Sequence, residues 1–360
     1  MAVNPAGTPS GSVPPQARPS IGLAATDLPA TGLPAQAPAA YHGPNWRERT
    51  GSQAEDLAEG WPWAPYAVHA DHHRLTDVVL HCPDPALLTA APPDRLQHLT
   101  TLDHGALAAD IDRLQAGYEH LGITVHRLPQ RRTALGGAAA PGRLGGANAM
   151  YARDLFWMGP EGAVLSRMAS GVRAGEERQA AELLTGLGVP IARTVGGTGL
   201  FEGADALWLR PGLVAIGVGR RTNTEGALQI AEEARQLGAD RLLLRVPEGV
   251  QHLLGVVQVV GEGLLAVRTG RLDPTDTAAL RWLGFHLIEV PEWPEVVEGC
   301  AMNLVVVADR VVVLPDGSAR TRALLARYGV ECAAVLPVPE LLKGAGGIGC
   351  ATGILARAAR

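Results

Sequence analysis

One local pattern recurs five times along this chain of 360 residues, and it limits the folds that the chain can adopt. Each copy has an amphipathic helix, then a turn that ends in glycine, and then a short apolar strand that proline usually closes. The five copies read LQAGYEHLGITVHRLP, AAELLTGLGVPIART, AEEARQLGADRLLLRVP, DTAALRWLGFHLIEVP and RALLARYGVECAAVLPVP. A further apolar run comes before each helix, as in TDVVLHC, EGAVLSRM, LVAIGVG, GLLAVRTG and LVVVADRVVVLP. The chain therefore alternates strand, helix and strand five times.

The spacing of these copies indicates a structural repeat. The turn glycines are Gly122, Gly188, Gly238, Gly284 and Gly329, between 45 and 66 residues apart. A period in this range is typical of repeat architectures. Five strand–helix–strand units predict an α/β fold closed into a five-bladed propeller with pseudo-five-fold symmetry, and an ordinary α/β sheet with coincidental spacing is the alternative. In a ring, the ends of the inner strands converge, so that distant segments can form one site.

Composition sets the domain boundary and excludes several function classes. Residues 1–62 are rich in Pro, Ala, Gly and Ser and are predicted to form a disordered arm, and residues 63–360 to form a single domain. The formal net charge of −5 and the absence of a basic tract argue against nucleic acid as a partner. No apolar run reaches 18 residues, which argues against a membrane partner. The four cysteines are widely spaced, so we expect unpaired thiols and a cytoplasmic protein.

Polar clusters stand at predicted strand ends in four successive units. They are Asn148 to Asp154, Glu202 to Asp205 followed by Arg221, Gln251-His252, and Cys350. Cys350 lies in the run Gly346-Gly347-Ile348-Gly349-Cys350, where missing side chains would let a ligand approach the backbone. Cys350 is therefore the candidate nucleophile, and a glycine-rich turn with an inert thiol is the alternative. The other three cysteines are interpreted as structural.

Together these clusters supply a thiol, an imidazole, carboxylates and arginines, which suits one chemistry well. Carboxylates hold a guanidinium through paired, charge-assisted hydrogen bonds, and arginines hold a carboxylate in the same way. A thiolate can attack the central guanidinium carbon while a histidine moves protons to the leaving amine and from water. Nearby carboxylates would raise the pKa of the thiol before a cation binds, and the bound cation would offset that effect.

These motifs resemble those of the guanidino-group-modifying enzymes of the pentein fold. That superfamily contains arginine deiminases, dimethylarginine dimethylaminohydrolases and amidinotransferases, and the similarity covers roughly residues 70–357. The matching pieces are Asn148 to Asp154, Arg167 to Glu177, the EGxD motif at Glu202, GRRTNTEG at 219–226, His252-Leu253 and the Cys350 loop with Thr352. They occur in the order that the superfamily has. The resemblance implies a five-bladed pentein propeller that acts without a metal or cofactor.

The resemblance also implies a role for each matching residue. Asp154 and Glu202 would bind the guanidinium, His252 would transfer protons, and Cys350 would form the covalent intermediate. The substrate carboxylate would be bound by Arg173, Arg221 and Asn148. One departure is Leu254, which stands where many deiminases and amidinotransferases have the Asp of a His-x-Asp motif. The motifs are therefore a mosaic of several subfamilies.

Three functions fit the resemblance to different degrees. The favoured one is a hydrolase of C–N bonds in linear amidines, with arginine or an N-substituted arginine as its small-molecule substrate. An amidinotransferase that passes the same amidino group to an amine is the alternative. A non-enzymatic, ribosome-binding branch of the fold would lack the Cys-His-carboxylate set. The sequence leaves homo-oligomer formation open.

Overall fold

The structure is a computed structural model that describes residues 37–130 and 145–358. Its contacts divide the chain into two units, Met1–Gly51 and Ser52–Arg360. The described part of the first unit contains one short 3-10 helix, Ala39–Tyr41. The predicted arm, residues 1–62, lies in part outside the described residues. Its described part contains the helix Gln53–Glu59. The N-cap residue of this helix is Ser52, which forms a capping box with Glu55.

The second unit contains fifteen described strands. They are β1 (Leu75–Leu80), β2 (Thr124–Arg127), β3 (Phe156–Gly159), β4 (Gly162–Leu165), β5 (Ile191–Thr194), β6 (Ala206–Arg210), β7 (Leu213–Val218), β8 (Asp240–Arg245), β9 (Val257–Gly261), β10 (Leu264–Val267), β11 (His286–Glu289), β12 (Val305–Ala308), β13 (Val311–Pro315), β14 (Glu331–Leu336) and β15 (Gly353–Arg357). They form five sheets of three strands each.

The described helices connect these strands. They are α1 (Gln53–Glu59), α2 (Pro85–Leu88), α3 (His104–His120), α4 (Glu177–Gly186), α5 (Thr224–Gln236), α6 (Pro274–Trp282), α7 (Pro294–Val297), α8 (Ala319–Ala326), α9 (Pro339–Lys343) and α10 (Ile348–Ala351). Four further 3-10 helices are Pro93–Leu96, Ala152–Asp154, Gly203–Asp205 and Leu253–Gly255. Among the described residues, no helix combines the length and apolar character needed to cross a membrane.

All five sheets have the same topology. The orders are β3-β4-β5, β6-β7-β8, β9-β10-β11, β12-β13-β14 and β15-β1-β2. The first two strands in each order are antiparallel, and the last two are parallel and joined through a helix. Each of the five predicted turn glycines has a positive φ, from 69° to 89°, which glycine adopts readily. The predicted five strand–helix–strand units are therefore confirmed.

Burial distinguishes an inner and an outer strand in every sheet. The strands β3, β6, β9, β12 and β15 are almost entirely buried, whereas the strands at the opposite edges, such as β5 and β14, alternate between exposed and half-buried residues. The last strand, β15, pairs with the first, β1, so that the two ends of the repeat share one sheet. The structure thus has the α/β architecture expected of a five-bladed pentein.

Candidate active site

A short turn lies immediately before the inner strand of each sheet, and these five turns carry the candidate site. Four of them are Ala152–Asp154, Gly203–Asp205, Leu253–Gly255 and α10, and the fifth is the turn at 300–303 before β12. The first two pack backbone against backbone. A Cβ atom at Gly203 would lie 2.1 Å from the carbonyl oxygen of Phe156, so only glycine fits there. This contact explains the glycine of the EGxD motif.

His252, Glu202 and Asp154 form one buried cluster. The imidazole Nε2 of His252 lies 2.7 Å from Glu202 Oε2, and its Nδ1 lies 3.7 Å from Asp154 Oδ1. All three side chains are at most 3% exposed. Asp154 Oδ1 has no hydrogen-bond partner among the described residues. The cluster therefore offers one buried acceptor without a donor.

The charges of His252 and Glu202 stabilise each other. Burial alone would lower the pKa of His252, but Asp154 and Glu202 outweigh it and raise the pKa to about 9. Burial alone would raise the pKa of Glu202, but the hydrogen bond and charge of His252 outweigh it and hold that pKa below its usual range. At neutral pH the pair is an imidazolium next to a carboxylate.

Cys350 is positioned by Asn303, a residue that the sequence analysis did not select. The side-chain amide of Asn303 donates to Cys350 Sγ at 2.9 Å, and its carbonyl oxygen accepts from the Cys350 backbone N–H at 3.0 Å. Burial and then the charge of Asp154 raise the pKa of the Cys350 thiol to about 12. The thiol is therefore neutral in this structure at physiological pH.

Arg173 lies among the carboxylates of the cluster. Its Nη1 is 2.5 Å from Asp154 Oδ2 and 3.6 Å from Glu202 Oε2, and its Nε is 2.8 Å from Glu176 Oε2. Burial opposes its charge, but Glu176, Asp154 and Glu202 together raise the pKa of Arg173 above its ordinary value. The role predicted for Arg173, binding a substrate carboxylate, stays a prediction, and here its guanidinium binds carboxylates of its own chain.

The two remaining predicted residues also contact protein groups. Asn148 is buried, and its side-chain amide donates to the carbonyl oxygen of Leu96 at 2.8 Å. Arg221 is 21% exposed, and its Nη1 lies 3.4 Å from both oxygens of Glu202. The structure thus brings Asp154, Glu202, His252, Arg173 and Arg221 into one network, and it places Asn148 at the edge of that network.

A cleft of about 550 Å³ opens onto the cluster. Its wall includes His252, Cys350, Asn303, Cys300 and Arg268, together with the apolar side chains Leu99, Val250, Leu254, Val296, Val297, Met302 and Leu342. Its volume lies in the range typical of small-molecule sites, about 300–1,000 Å³. Asp154 and Glu202 lie behind His252 rather than on the wall. A ligand in the cleft would therefore meet the thiol and the imidazolium first.

The glycines near Cys350 accommodate side chains of the protein itself. A Cβ atom at Gly346 would lie 2.3 Å from the ring of Tyr151, and one at Gly347 would lie 2.8 Å from Asn303 Oδ1. Tyr151 and Asn303 thus pack into the space that the missing side chains leave. The sequence predicts that these glycines admit a ligand, whereas in the structure they admit side chains that pack against the Cys350 loop.

The donor atoms of Asp154, Glu202 and His252 lie within 4.8 Å of one another, close enough to hold a metal ion. A cation already lies beside them, however, because the Arg173 guanidinium contacts both carboxylates. A protonated His252 is also a donor and not a metal ligand. The charges and shape of the cluster therefore suit a guanidinium better than a metal ion.

Comparison with known proteins shows similarity in sequence and in fold. Residues 147–243, which include Asn148, Asp154, Arg173, Glu202 and Arg221, match the family model of arginine deiminase. An uncharacterized protein of the archaeon Aeropyrum pernix is 30% identical over 188 residues, which are 52% of this chain and 65% of that protein. The match thus spans a little under two thirds of the relative's length.

Two solved structures share the fold. An amidinotransferase of the saxitoxin biosynthetic pathway from Microseira wollei superposes with a TM-score of 0.67 at 14% identity, covering 82% of this chain and 98% of that one. The dimethylarginine dimethylaminohydrolase of Pseudomonas aeruginosa, solved with citrulline, superposes with a TM-score of 0.60 at 20% identity, covering 78% and 99%. The predicted resemblance to the guanidino-group-modifying enzymes of the pentein fold is therefore confirmed, by sequence pattern over residues 147–243 and by fold over most of the chain.

Proposed function

We propose that this protein is a cysteine-dependent hydrolase of a guanidino compound that carries a carboxylate, such as arginine or an N-substituted arginine. The observation that carries the proposal is the arrangement of Cys350 and His252 on the wall of one cleft, with Glu202 and Asp154 behind the imidazole. A thiol, a proton donor and buried carboxylates within one site are the groups that this reaction needs.

The carboxylates select a cationic substrate. Asp154 Oδ1, which is buried without a donor among the described residues, is the acceptor that a guanidinium N–H would satisfy. Glu202 binds the imidazolium and would share the charge of the substrate. Since Arg173 contacts both carboxylates, the guanidinium enters beside it or displaces it. A guanidinium that binds beside Arg173 adds positive charge close to Cys350, whereas one that displaces Arg173 only exchanges one cation for another.

That added charge activates the nucleophile. The neutral thiol of Cys350 loses its proton to solvent when the cation binds, because a nearby positive charge lowers the pKa of a thiol. The thiolate attacks the central guanidinium carbon and forms a C–S bond. The imidazolium of His252 gives a proton to the departing ammonia or amine as the C–N bond breaks. The product of this half-reaction is an amidino-thioether on Cys350.

Hydrolysis then reverses the roles of the same groups. The neutral His252 takes a proton from a water molecule, whose oxygen attacks the amidino carbon. The C–S bond breaks and the hydroxyl proton of the intermediate passes to solvent, which leaves a ureido product, the thiolate of Cys350 and the imidazolium of His252. Asn303, which donates to Cys350 Sγ at 2.9 Å, stabilises the thiolate as it departs. When the product leaves, the thiolate of Cys350 takes up a proton from solvent, in place of the one that the thiol lost at the start, and the neutral thiol is restored.

The carboxylate end of the substrate requires a cation on the cleft wall. Arg173 and Arg221 are the residues predicted for it, and both contact Glu202 in this structure. Among the described residues that line the cleft, Arg268 is the arginine, and its guanidinium is bound to Glu292 at 2.5 and 2.8 Å. Loss of carboxylate binding would raise KM more than it lowers kcat. Comparison of Arg221→Gln with Arg268→Gln identifies which arginine binds it.

The test is intact-protein mass spectrometry after a rapid quench with a panel of guanidino acids. We expect a covalent adduct on Cys350 and a ureido product. Cys350→Ser should form neither, because a hydroxyl is a far poorer nucleophile than a thiolate at pH 7. Cys300→Ser is the matched control, since Cys300 lines the same cleft, and it should retain activity. An adduct on Cys82, Cys300 or Cys332, or full activity of Cys350→Ser, would contradict the proposal.

The same experiment separates hydrolysis from amidino transfer. An amidinotransferase forms the same adduct but passes the amidino group to an amine and not to water. Products are therefore compared with and without ornithine, glycine and other amines. A ureido product that does not depend on added amine supports the hydrolase, and a new guanidino product that requires the amine supports the transferase.

A further inference from the structure

A second cluster of charged residues is buried on the far side of the Cys350 loop. Asp71 precedes β1, Arg153 belongs to the turn before β3, and Arg357 ends β15. Their exposed fractions are 7%, 8% and 4%. The cluster contains two guanidinium groups and one carboxylate. None of the three lines the cleft, and none has a part in the reaction proposed above.

Asp71 neutralises this cluster only in part. Its Oδ2 accepts a hydrogen bond from the backbone N–H of Trp208 at 2.7 Å. Its Oδ1 lies 3.6 Å from Arg153 Nη2 and 3.9 Å from Arg357 Nε. Both distances exceed those of a hydrogen bond. One carboxylate oxygen therefore faces two cations without bonding either of them closely.

The Arg357 guanidinium has one donor that no described group satisfies. Its Nη1 donates to the carbonyl oxygens of His73 and Val306, at 2.6 and 2.9 Å. Its Nε is buried and has no hydrogen-bond partner among the described residues. Burial lowers the pKa of Arg357 to about 10; the charge of Asp71 opposes this effect, and the smaller effect of Arg153 adds to it. An unsatisfied buried donor with this excess of positive charge calls for an anionic partner.

A small cavity adjoins these groups. Its volume is about 20 Å³, and its wall includes Asp71, Arg153, Arg357, Leu254 and Gly349. A single water molecule needs a cavity of about 10–15 Å³ on the same measure. The space is thus of the size that one water molecule or one monatomic ion occupies. A water molecule could satisfy Nε, but it would leave the excess charge uncompensated.

We propose that this cavity is a binding site for a small monovalent anion of the halide class, chloride under physiological conditions, held between Arg153 and Arg357. The site does not depend on the function proposed for the cleft. Gly349, which lines the cavity, directly precedes Cys350, and Leu304, also on the wall, directly follows Asn303. A bound anion would therefore fix the loop and the turn that position the thiol.

The first test is crystallographic and uses the unmodified protein. Crystals are grown in bromide, and anomalous data are collected at the bromine absorption edge. We expect a peak in the cavity, in contact with both guanidinium groups. Density there without anomalous signal at saturating bromide would identify water and overturn the proposal.

The second test measures thermal unfolding in chloride, bromide and gluconate at constant ionic strength. A ligand that binds only the folded state raises the melting temperature, and we expect chloride and bromide to raise it by about 2 °C or more over gluconate, saturably. Arg153→Gln should lose this difference. Arg220→Gln is the matched control, since Arg220 is 90% exposed, and it should keep the difference. Equal melting temperatures in the three salts, or an unchanged halide effect in Arg153→Gln, would refute the site. If Arg153→Gln does not fold, the bromide experiment decides.

Discussion

The contacts of Arg173 predict that this residue stabilises the fold, whatever its part in binding substrate. In Arg173→Met the side chain keeps much of its length but loses its charge and its donors. Asp154 and Glu176 each lose an ion pair, at 2.5 and 2.8 Å, and Glu202 loses a cation at 3.6 Å. The side chains involved are at most 4% exposed, so water cannot replace the lost partner.

The expected magnitude follows from this burial. Removing one partner of a buried ion pair costs about 3–5 kcal/mol, because it leaves an uncompensated charge in the interior. Since two short ion pairs are lost together, we expect about 5 kcal/mol at pH 8. The cost should be smaller at pH 5.5. Burial already raises the pKa of Glu176, and loss of Arg173 raises it further, so the folded variant binds more protons than the unfolded chain and becomes more stable as pH falls.

Urea unfolding followed by far-UV circular dichroism, at pH 5.5 and pH 8, measures both effects. Arg245→Met is the control, because Arg245 is 78% exposed in its ion pair with Asp273 and should contribute nothing measurable. Arg173→Lys should recover part of the loss, since it restores a charge but not the forked geometry. If Arg173→Met lowers the free energy of unfolding by less than 1 kcal/mol at pH 8, this account is refuted. Such a result would indicate that Arg173 contributes to ligand binding and not to stability.

Three further predictions concern the thiol and the imidazole. Asp154→Asn should lower the pKa of Cys350, because the carboxylate is the largest cause of its rise after burial, and the pH profile of alkylation by iodoacetamide measures this shift. Folding raises the pKa of His252 from 6.5 to about 9. The stabilisation that the protonated His252 provides is therefore complete below pH 6.5 and is lost as the pH rises through 9. Between pH 7 and pH 10, the melting temperature of His252→Gln should fall less steeply than that of the unmodified protein. Asn303→Ala should lower kcat about tenfold with the fold retained, which steady-state kinetics would show, because it removes a hydrogen bond of about 1–2 kcal/mol to the sulfur.

The repeats could be predicted from the sequence because they are set by local physics. The helix periodicity, the left-handed glycine turn and the apolar strand are each encoded within about 16 residues. The positive φ of Gly122 and its four counterparts confirms this interpretation. Most residues of the predicted polar clusters lie in a turn before an inner strand, and the exception is Arg221, which follows β7.

Asn303 was missed because a single asparagine in the stretch Cys-Ala-Met-Asn carries no chemical signature. The five-fold repeat nevertheless indicates where Asn303 should lie. Asp154, Glu202, His252 and Cys350 each lie just before or within the turn that precedes an inner strand, and the fifth such turn ends at Asn303. A search for the polar residue of the remaining unit would have selected it.

The partners of Arg173 could not be predicted, because the sequence shows an arginine in a turn but not the direction of its side chain. In the structure the guanidinium faces the cluster, where the carboxylate of Glu176 binds Nε of Arg173. Glu176 also accepts from the backbone N–H groups of Gly146 and Asn148. It therefore connects Arg173 to the segment before Asp154, a long-range contact that no local pattern encodes.

The charge states of the site give a reason for these contacts. Without a bound cation, Cys350 is a neutral thiol and His252 is an imidazolium, so in the proposed mechanism the nucleophile is not reactive and the general acid is already protonated. A cationic group bound at Asp154 lowers the pKa of both groups, because it compensates the carboxylate that raises the two pKa values. A neutral molecule of the same shape would leave the thiol protonated. In the proposed mechanism, discrimination by charge therefore acts through the pKa of Cys350, in addition to any discrimination by the shape of the cleft.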